Sequence, residues 1–204
     1  MPIDDKTAPR VLAFGDSLTA GYGLASADSF PAQLEVLLRQ RRPGARVMNA
    51  GVSGDTSASG RARLPRVLSR LDVRPDLAIV ELGANDLLRG IAPARMRDNL
   101  DAILTSLADC GIPVLLAGMQ APPFLGSFAE VFDAVFVDLA DKHDVPLYPF
   151  FLAGVVGDPA LVLADNIHPN ARAIGIVARA ILPHVEAALE AHGASARGGD
   201  VTAS

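Results

Sequence analysis

Four short apolar runs, each stopped by a glycine, limit what this chain can fold into more than any other feature of it. Residues 10–14 end at Gly15, 46–50 at Gly51, 77–82 at Gly83 and 112–117 at Gly118. Each has the length of a strand but lacks the polar alternation of a half-exposed one, which is the pattern of strands buried on both faces of a parallel sheet. Between them, residues 30–42, 57–71, 93–109 and 128–143 carry apolar positions at three- and four-residue spacing. Leu34, Leu37 and Leu38 share one face, for example, so these segments read as amphipathic helices. A weaker fifth strand is expected at 145–148, and a last helix from Asn170 to about Ala191, entered through the Pro169-Asn170 turn. Alternation of this kind predicts a three-layer α/β domain, a five-stranded parallel sheet with right-handed crossovers and helices on both faces. Residues 1–9 read as an N-terminal extension, 10–192 as a single domain and 193–204, small and polar, as a disordered tail.

Composition removes whole classes of function. At 204 residues, half of them apolar, the chain can bury a core without a metal or disulfide staple. Its one cysteine, Cys110, excludes an internal disulfide and a Cys-rich metal site, and reads as structural. With 18 basic residues against 23 acidic ones the net charge is −5, which argues against a nucleic-acid partner. No apolar run approaches the roughly 18 residues of a membrane helix. Asp4, Asp5 and Lys6 near the start do not read as a secretory signal. The sequence as it stands therefore reads as cytoplasmic, or as periplasmic or secreted if a signal has been removed.

In a parallel α/β sheet, ligands bind beyond the carboxyl ends of the strands, so the segments after each run carry the functional argument. After the first stands Gly15-Asp16-Ser17-Leu18-Thr19. Ser17 reads either as a capping hydroxyl or as a nucleophile, and a nucleophile needs a base. Far along the chain, Asp165-Asn166-Ile167-His168-Pro169 offers one. An Asp three residues before a His, in a turn set by proline, can hold the Nδ1–H and leave Nε2 free to take a proton; the alternative is a capping Asp and an ordinary His. His143, His184 and His192 lack such a setting and read as solvated or packing residues.

After the second run, Gly54 in Asn49-Ala50-Gly51-Val52-Ser53-Gly54-Asp55-Thr56 is either a turn glycine, with Asp55 or Thr56 capping the next helix, or a backbone donor a ligand can approach closely. After the third, Asn85 in Glu81-Leu82-Gly83-Ala84-Asn85-Asp86 is either an Asx-turn residue or an uncharged donor suited to an oxyanion. Asp86 reads as a buried anchor or cap. Together the segments supply nucleophile, base, orienter and oxyanion donors. Ser17 lacks the G-x-S-x-G elbow of the α/β-hydrolases, and neither a P-loop nor a G-x-G-x-x-G is present to support the rival reading, a flavodoxin-like ligand-binding module.

Gly15-Asp16-Ser17-Leu18, Gly54, Gly83-Ala84-Asn85-Asp86 and Asp165-x-x-His168 resemble the four ordered blocks of the SGNH, or GDSL, hydrolases, over about residues 11–188. The 49–56 and 165–170 segments look most like the bacterial arylesterase, thioesterase I and lysophospholipase L1 group. That resemblance implies a flavodoxin-like sheet of order 2-1-3-4-5 and hydrolysis of carboxylic esters, short-chain or aryl, and of thioesters, with no metal or cofactor. It implies Ser17 as nucleophile, His168 as general base, Asp165 as its orienter, and the Ser17 N–H, Gly54 N–H and Asn85 side chain as the oxyanion hole. A carbohydrate acetylesterase or an acyltransferase would use the same residues. Ala84 departs from the second glycine of thioesterase relatives, which bears on how an acyl chain is accommodated.

The loop 120–128, apolar and stiffened by Pro122 and Pro123, offers Phe124 and Leu125 either as core under a loop or as a wall for the ester's acyl or aryl group. Leu163, just before Asp165, is the candidate for the opposite wall. Arg61, Arg63, Arg66 and Arg70 read as the solvated face of a helix whose buried stripe is Leu64, Val67, Leu68 and Leu71.

Overall fold

A computed structural model describes residues 8–198. Five parallel strands, β1 (Arg10–Gly15), β2 (Arg46–Gly51), β3 (Leu77–Glu81), β4 (Val114–Ala117) and β5 (Leu147–Tyr148), form one sheet in the order β2-β1-β3-β4-β5. The expected α/β architecture and strand order are both found. β3 and β4 are buried along their whole length and β1 in all but its first residue, as continuous apolar runs require. β2, at the edge, departs from the expectation of a buried strand: it buries only Val47 and exposes Arg46 and Asn49, because an edge strand is covered on one side only.

Two helical layers cover the sheet. In one, α2 (Phe30–Arg41) packs on α7 (Ala171–Gly198); in the other, α3 (Ser57–Leu68), α5 (Pro93–Asp109) and α6 (Ser127–His143) pack in sequence. Phe14, Phe30, Phe132, Phe136 and Phe151 are the largest fully buried side chains, with Phe30 edge-on to Phe151 at 4.9 Å between ring centres.

The differences from the sequence reading lie at element ends. Two one-turn helices, α1 (Ser17–Ala20) and α4 (Ala84–Leu88), follow β1 and β3; neither is long enough to show a period. β5 keeps only two residues of the expected four. α7 starts one residue after Asn170, whose side chain caps it by accepting from the Ala173 N–H at 3.1 Å. It continues to Gly198 instead of closing near Ala191, because Ala194 and Ala196 favour a helix and no proline stops it. The rest of the expected tail, 199–204, and residues 1–7 of the expected extension lie outside the described residues.

The register sets up the site. Gly51, Gly15, Glu81, Ala117 and Tyr148 are successive partners in one row across all five strands. The loops that follow therefore leave the sheet at one level, and residues remote in sequence meet above it. Among the described residues, no helix is long and apolar enough to cross a membrane.

Candidate active site

Ser17 opens α1 and is 8% exposed. The turn is built by Asp16, whose Oδ1 accepts from the Leu18 N–H at 2.9 Å, and is closed by Gly21 at φ +84°, a conformation glycine adopts without strain. Beneath it lies the row residue Glu81, fully buried, whose Oε2 accepts from the Thr19 hydroxyl at 2.7 Å and the Asp16 N–H at 3.4 Å. Only glycine fits at position 15: a Cβ there would stand 2.6 Å from both the Glu81 carbonyl oxygen and Oε2.

Burial raises Glu81 well above the usual carboxyl range, with the Asp16 carboxylate nearby adding to the effect. Burial also raises Asp16, to about 6, against the stabilising hydrogen bonds from Leu18 and Asn85. Both Asp16 carboxyl oxygens accept hydrogen bonds, the arrangement of an ionised group.

The Asp165–His168 turn is held from inside. Leu163 donates its N–H to the His168 carbonyl at 2.8 Å, Val162 and Pro169 form an antiparallel bridge, and Asn166 takes φ +59°. Asp165 Oδ1 accepts from the N–H groups of Ile167 and His168, both at 3.0 Å, while Oδ2 faces His168 Nδ1 at 2.7 Å. These three bonds, the two backbone ones foremost, hold the Asp165 carboxyl down at about 2. An ionised carboxylate only accepts, so Nδ1 carries the proton and Nε2 a lone pair. Nε2 lies 3.0 Å from Ser17 Oγ, across 151 residues of chain. The Tyr22 ring covers the imidazole, 4.3 Å between centres. The sequence reading assigned Tyr22 no part in the site; its position after the αL residue Gly21 is the only local signal for it.

Gly54 takes φ +84°, and Thr56 caps α3 by accepting from the Ser59 N–H at 3.3 Å. Among the described residues, no hydrogen bond uses the N–H of Ser17 or of Gly54. Asn85 Nδ2 donates to Asp16 Oδ2 at 2.9 Å and to the Asp55 carbonyl at 3.0 Å. It is thus bonded to the residue before Ser17 and to the residue after Gly54, which gathers the three candidate oxyanion donors in one place. Asp86, fully buried, ties down the start of α3 by accepting from the Ser57 N–H at 2.7 Å and hydroxyl at 2.6 Å.

Four blocks expected from the sequence thus converge at the carboxyl ends of β1, β2 and β3. The family described as GDSL-like Lipase/Acylhydrolase matches residues 13–173, most of the chain. This chain belongs to the GDSL-like lipase/acylhydrolase family. It is 42% identical over 163 residues to Esterase TesA of Pseudomonas aeruginosa, covering 79% of this chain and 80% of that protein. It is 36% identical to an arylesterase of Vibrio mimicus, covering 82% and 84%. The crystal structure of the SGNH-hydrolase family esterase AlinE4 superposes with a TM-score of 0.75 at 49% identity, covering 89% and 97%.

One expectation about this family member needs correction. Arg63 is not part of a solvated face. It turns inward from α3, its Nε 2.5 Å from Asp55 Oδ2, its Nη2 donating to the Gly15 carbonyl at 2.9 Å, and its guanidinium 4.2 Å above the Phe14 ring. Arg61, Arg66 and Arg70 are exposed, as expected. The period of the helix could not separate them, because the direction of one long side chain depends on which loop packs beside it.

Of the two readings of Phe124, core under a loop is excluded: it is 86% exposed on the 3-10 turn Pro123–Leu125, where Leu125 is 38% exposed. Leu163 is half-buried against Gly23, next to Tyr22. Grooves of about 530 and 500 Å³ flank the β2 edge, and neither is lined by Ser17. Among the described residues, no group of three or more His, Cys, Asp or Glu could hold a metal.

Proposed function

We propose that this chain is a serine esterase acting on carboxylic esters of small molecules, aryl or short-chain, through an acyl-enzyme at Ser17. The observation that carries the reading is the continuous line from the Asp165 carboxylate through His168 to the Ser17 hydroxyl, 2.7 and 3.0 Å in its two links. An unpaired serine hydroxyl is a poor nucleophile, and this line is what activates one. The names of the esterase and arylesterase relatives support the substrate class.

Ser17 Oγ attacks the ester carbonyl carbon as Nε2 of His168 takes its proton. Asp165, already ionised, stabilises the imidazolium and fixes its tautomer. The carbonyl oxygen becomes an oxyanion, received by the Ser17 and Gly54 N–H groups and by Asn85 Nδ2. Collapse expels the alcohol or phenol, which leaves with the proton from His168. Water then attacks the acyl-enzyme, His168 takes its proton, and the acid departs as the proton returns to Ser17. Thioesters would follow the same course with a thiol leaving.

Phe124 and Leu125, on the loop that leaves the carboxyl end of β4, and Leu163, against Gly23, would form the apolar surfaces that receive the acyl or aryl group. The test is Ser17→Ala with p-nitrophenyl acetate and butyrate, together with labelling by a fluorophosphonate probe. The parent should be labelled and the variant should lose both labelling and turnover. A variant that kept the parent's turnover would overturn the assignment.

A further inference from the structure

We propose that Arg63 is the positioning residue of the oxyanion hole: its guanidinium clamps the Asp55 side chain to the last carbonyl of β1, and so sets the Gly54 N–H and the acceptor of Asn85 relative to Ser17. The inference rests on the esterase reading above. Three contacts diverge from one planar group. Nε meets Asp55 Oδ2 at 2.5 Å, Nη2 donates to Gly15 O at 2.9 Å, and the face of the group lies 4.2 Å above Phe14. The side chains of Arg63 and Asp55 are only 19% and 10% exposed, so solvent screens the pair weakly.

What those contacts hold is specific. Gly15 stands two residues before Ser17. Asp55 follows Gly54, and its carbonyl accepts one of the two Asn85 hydrogen bonds, at 3.0 Å. One side chain on α3 therefore touches the end of β1 and the loop after β2 directly and reaches Asn85, after β3, through Asp55. Gly54 needs such a tie. Its nearest neighbour to a notional Cβ is Arg89 Nη2 at 3.6 Å, so close packing does not fix it; among the described residues it is held by the exposed Arg89, which donates to its carbonyl at 2.8 Å, and by the turn in which the Asp55 N–H donates to the Val52 carbonyl at 3.1 Å. The direction of the Gly54 N–H thus depends on how Asp55 is held. Arginine suits this position because its fork is planar and donates in several fixed directions, whereas lysine is a point charge on a flexible stem.

The experiment compares Arg63→Met and Arg63→Lys, each alone and combined with Asn85→Ala, by kcat and KM on p-nitrophenyl butyrate at a temperature where circular dichroism shows every variant folded. R63M is expected to lower kcat at least tenfold with KM within threefold, and R63K to recover part of the loss. In the N85A background the R63M effect should shrink at least threefold, because a donor that Arg63 helps to aim is already gone. A purely structural role would lower the melting temperature and leave kcat of the folded protein alone.

If R63M does not fold, Asp55→Asn keeps the bond to Gly15 and the Phe14 contact while weakening the clamp, and should show the same split with a smaller loss. The inference is overturned if the folded variant retains kcat within twofold of the parent, or if its loss is fully additive with N85A. Failure of the esterase reading itself would show separately, as turnover surviving Ser17→Ala.

Discussion

Removing the Asn85 amide tests the oxyanion hole most directly, and the structure sets the size of the effect. A donor that waits unbonded for an oxyanion is worth about 2.7–4 kcal/mol of transition-state stabilisation. Asn85 does not wait unbonded: its two hydrogens lie on Asp16 Oδ2 and the Asp55 carbonyl. To serve the oxyanion one of them must leave a neutral hydrogen bond that contributes about 1 kcal/mol. The net advantage is then about 2–3 kcal/mol, so Asn85→Ala should lower kcat by about 30- to 150-fold.

KM should move little, because the charge appears only in the transition state. The same change leaves a buried carboxylate oxygen of Asp16 without its donor, which costs about 1–3 kcal/mol of stability. For a chain of this size that lowers Tm by roughly 3–10 °C. Initial rates with p-nitrophenyl butyrate at 25 °C, beside thermal melts, give both numbers. A variant with kcat within threefold of the parent, or with its whole loss in KM, would refute the reasoning.

Two other expectations follow from the same geometry. Asp16, raised by burial to about 6, binds its proton more tightly folded than unfolded, and Glu81, raised by its own burial, does the same. The Asp16 contribution to stability therefore grows as pH falls through about 6, that of Glu81 grows in the same direction, and both level off below the ordinary carboxyl value. Tm should rise from pH 8 to pH 5, Asp16→Asn should reduce that slope and Asp16→Asn with Glu81→Gln should reduce it further; an unchanged slope in the double variant would sink the argument. Asp165, lowered to about 2, runs the opposite way, and its contribution is lost only as pH falls through about 2, outside that window.

Phe124→Ala and Leu125→Ala should alter the preference among p-nitrophenyl esters of increasing chain length. Phe124→Ala should do so without a change in Tm, since Phe124 is almost wholly exposed and its loss leaves no cavity. An identical chain-length profile in both variants would remove the loop from the substrate site.

Residue spacing alone determined those parts whose partners are neighbours in the chain. Asp165 and His168 meet because a three-residue turn lets one carboxylate accept two backbone N–H groups and the imidazole, all within the turn. Three of the four glycine-stopped apolar runs likewise became strands buried along nearly their whole length, and the fourth, β2, is the open edge. The order of the strands and the closing of His168 onto Ser17 were legible only through the resemblance of four ordered blocks, since no local pattern links positions 151 apart.

Tertiary structure decided the rest. Arg63 looks like its neighbours on the helix until the ends of β1 and β2 come to lie beside it, and Asn85 shows its two acceptors only once the strands are in register. Burial of Glu81 beneath the nucleophile turn, which raises its carboxyl above the usual range, arises from the same row of strand ends. Local hydrogen bonds depend on spacing, which a sequence displays, whereas the environment of a buried charge is the sum of groups that only the packed sheet brings near it.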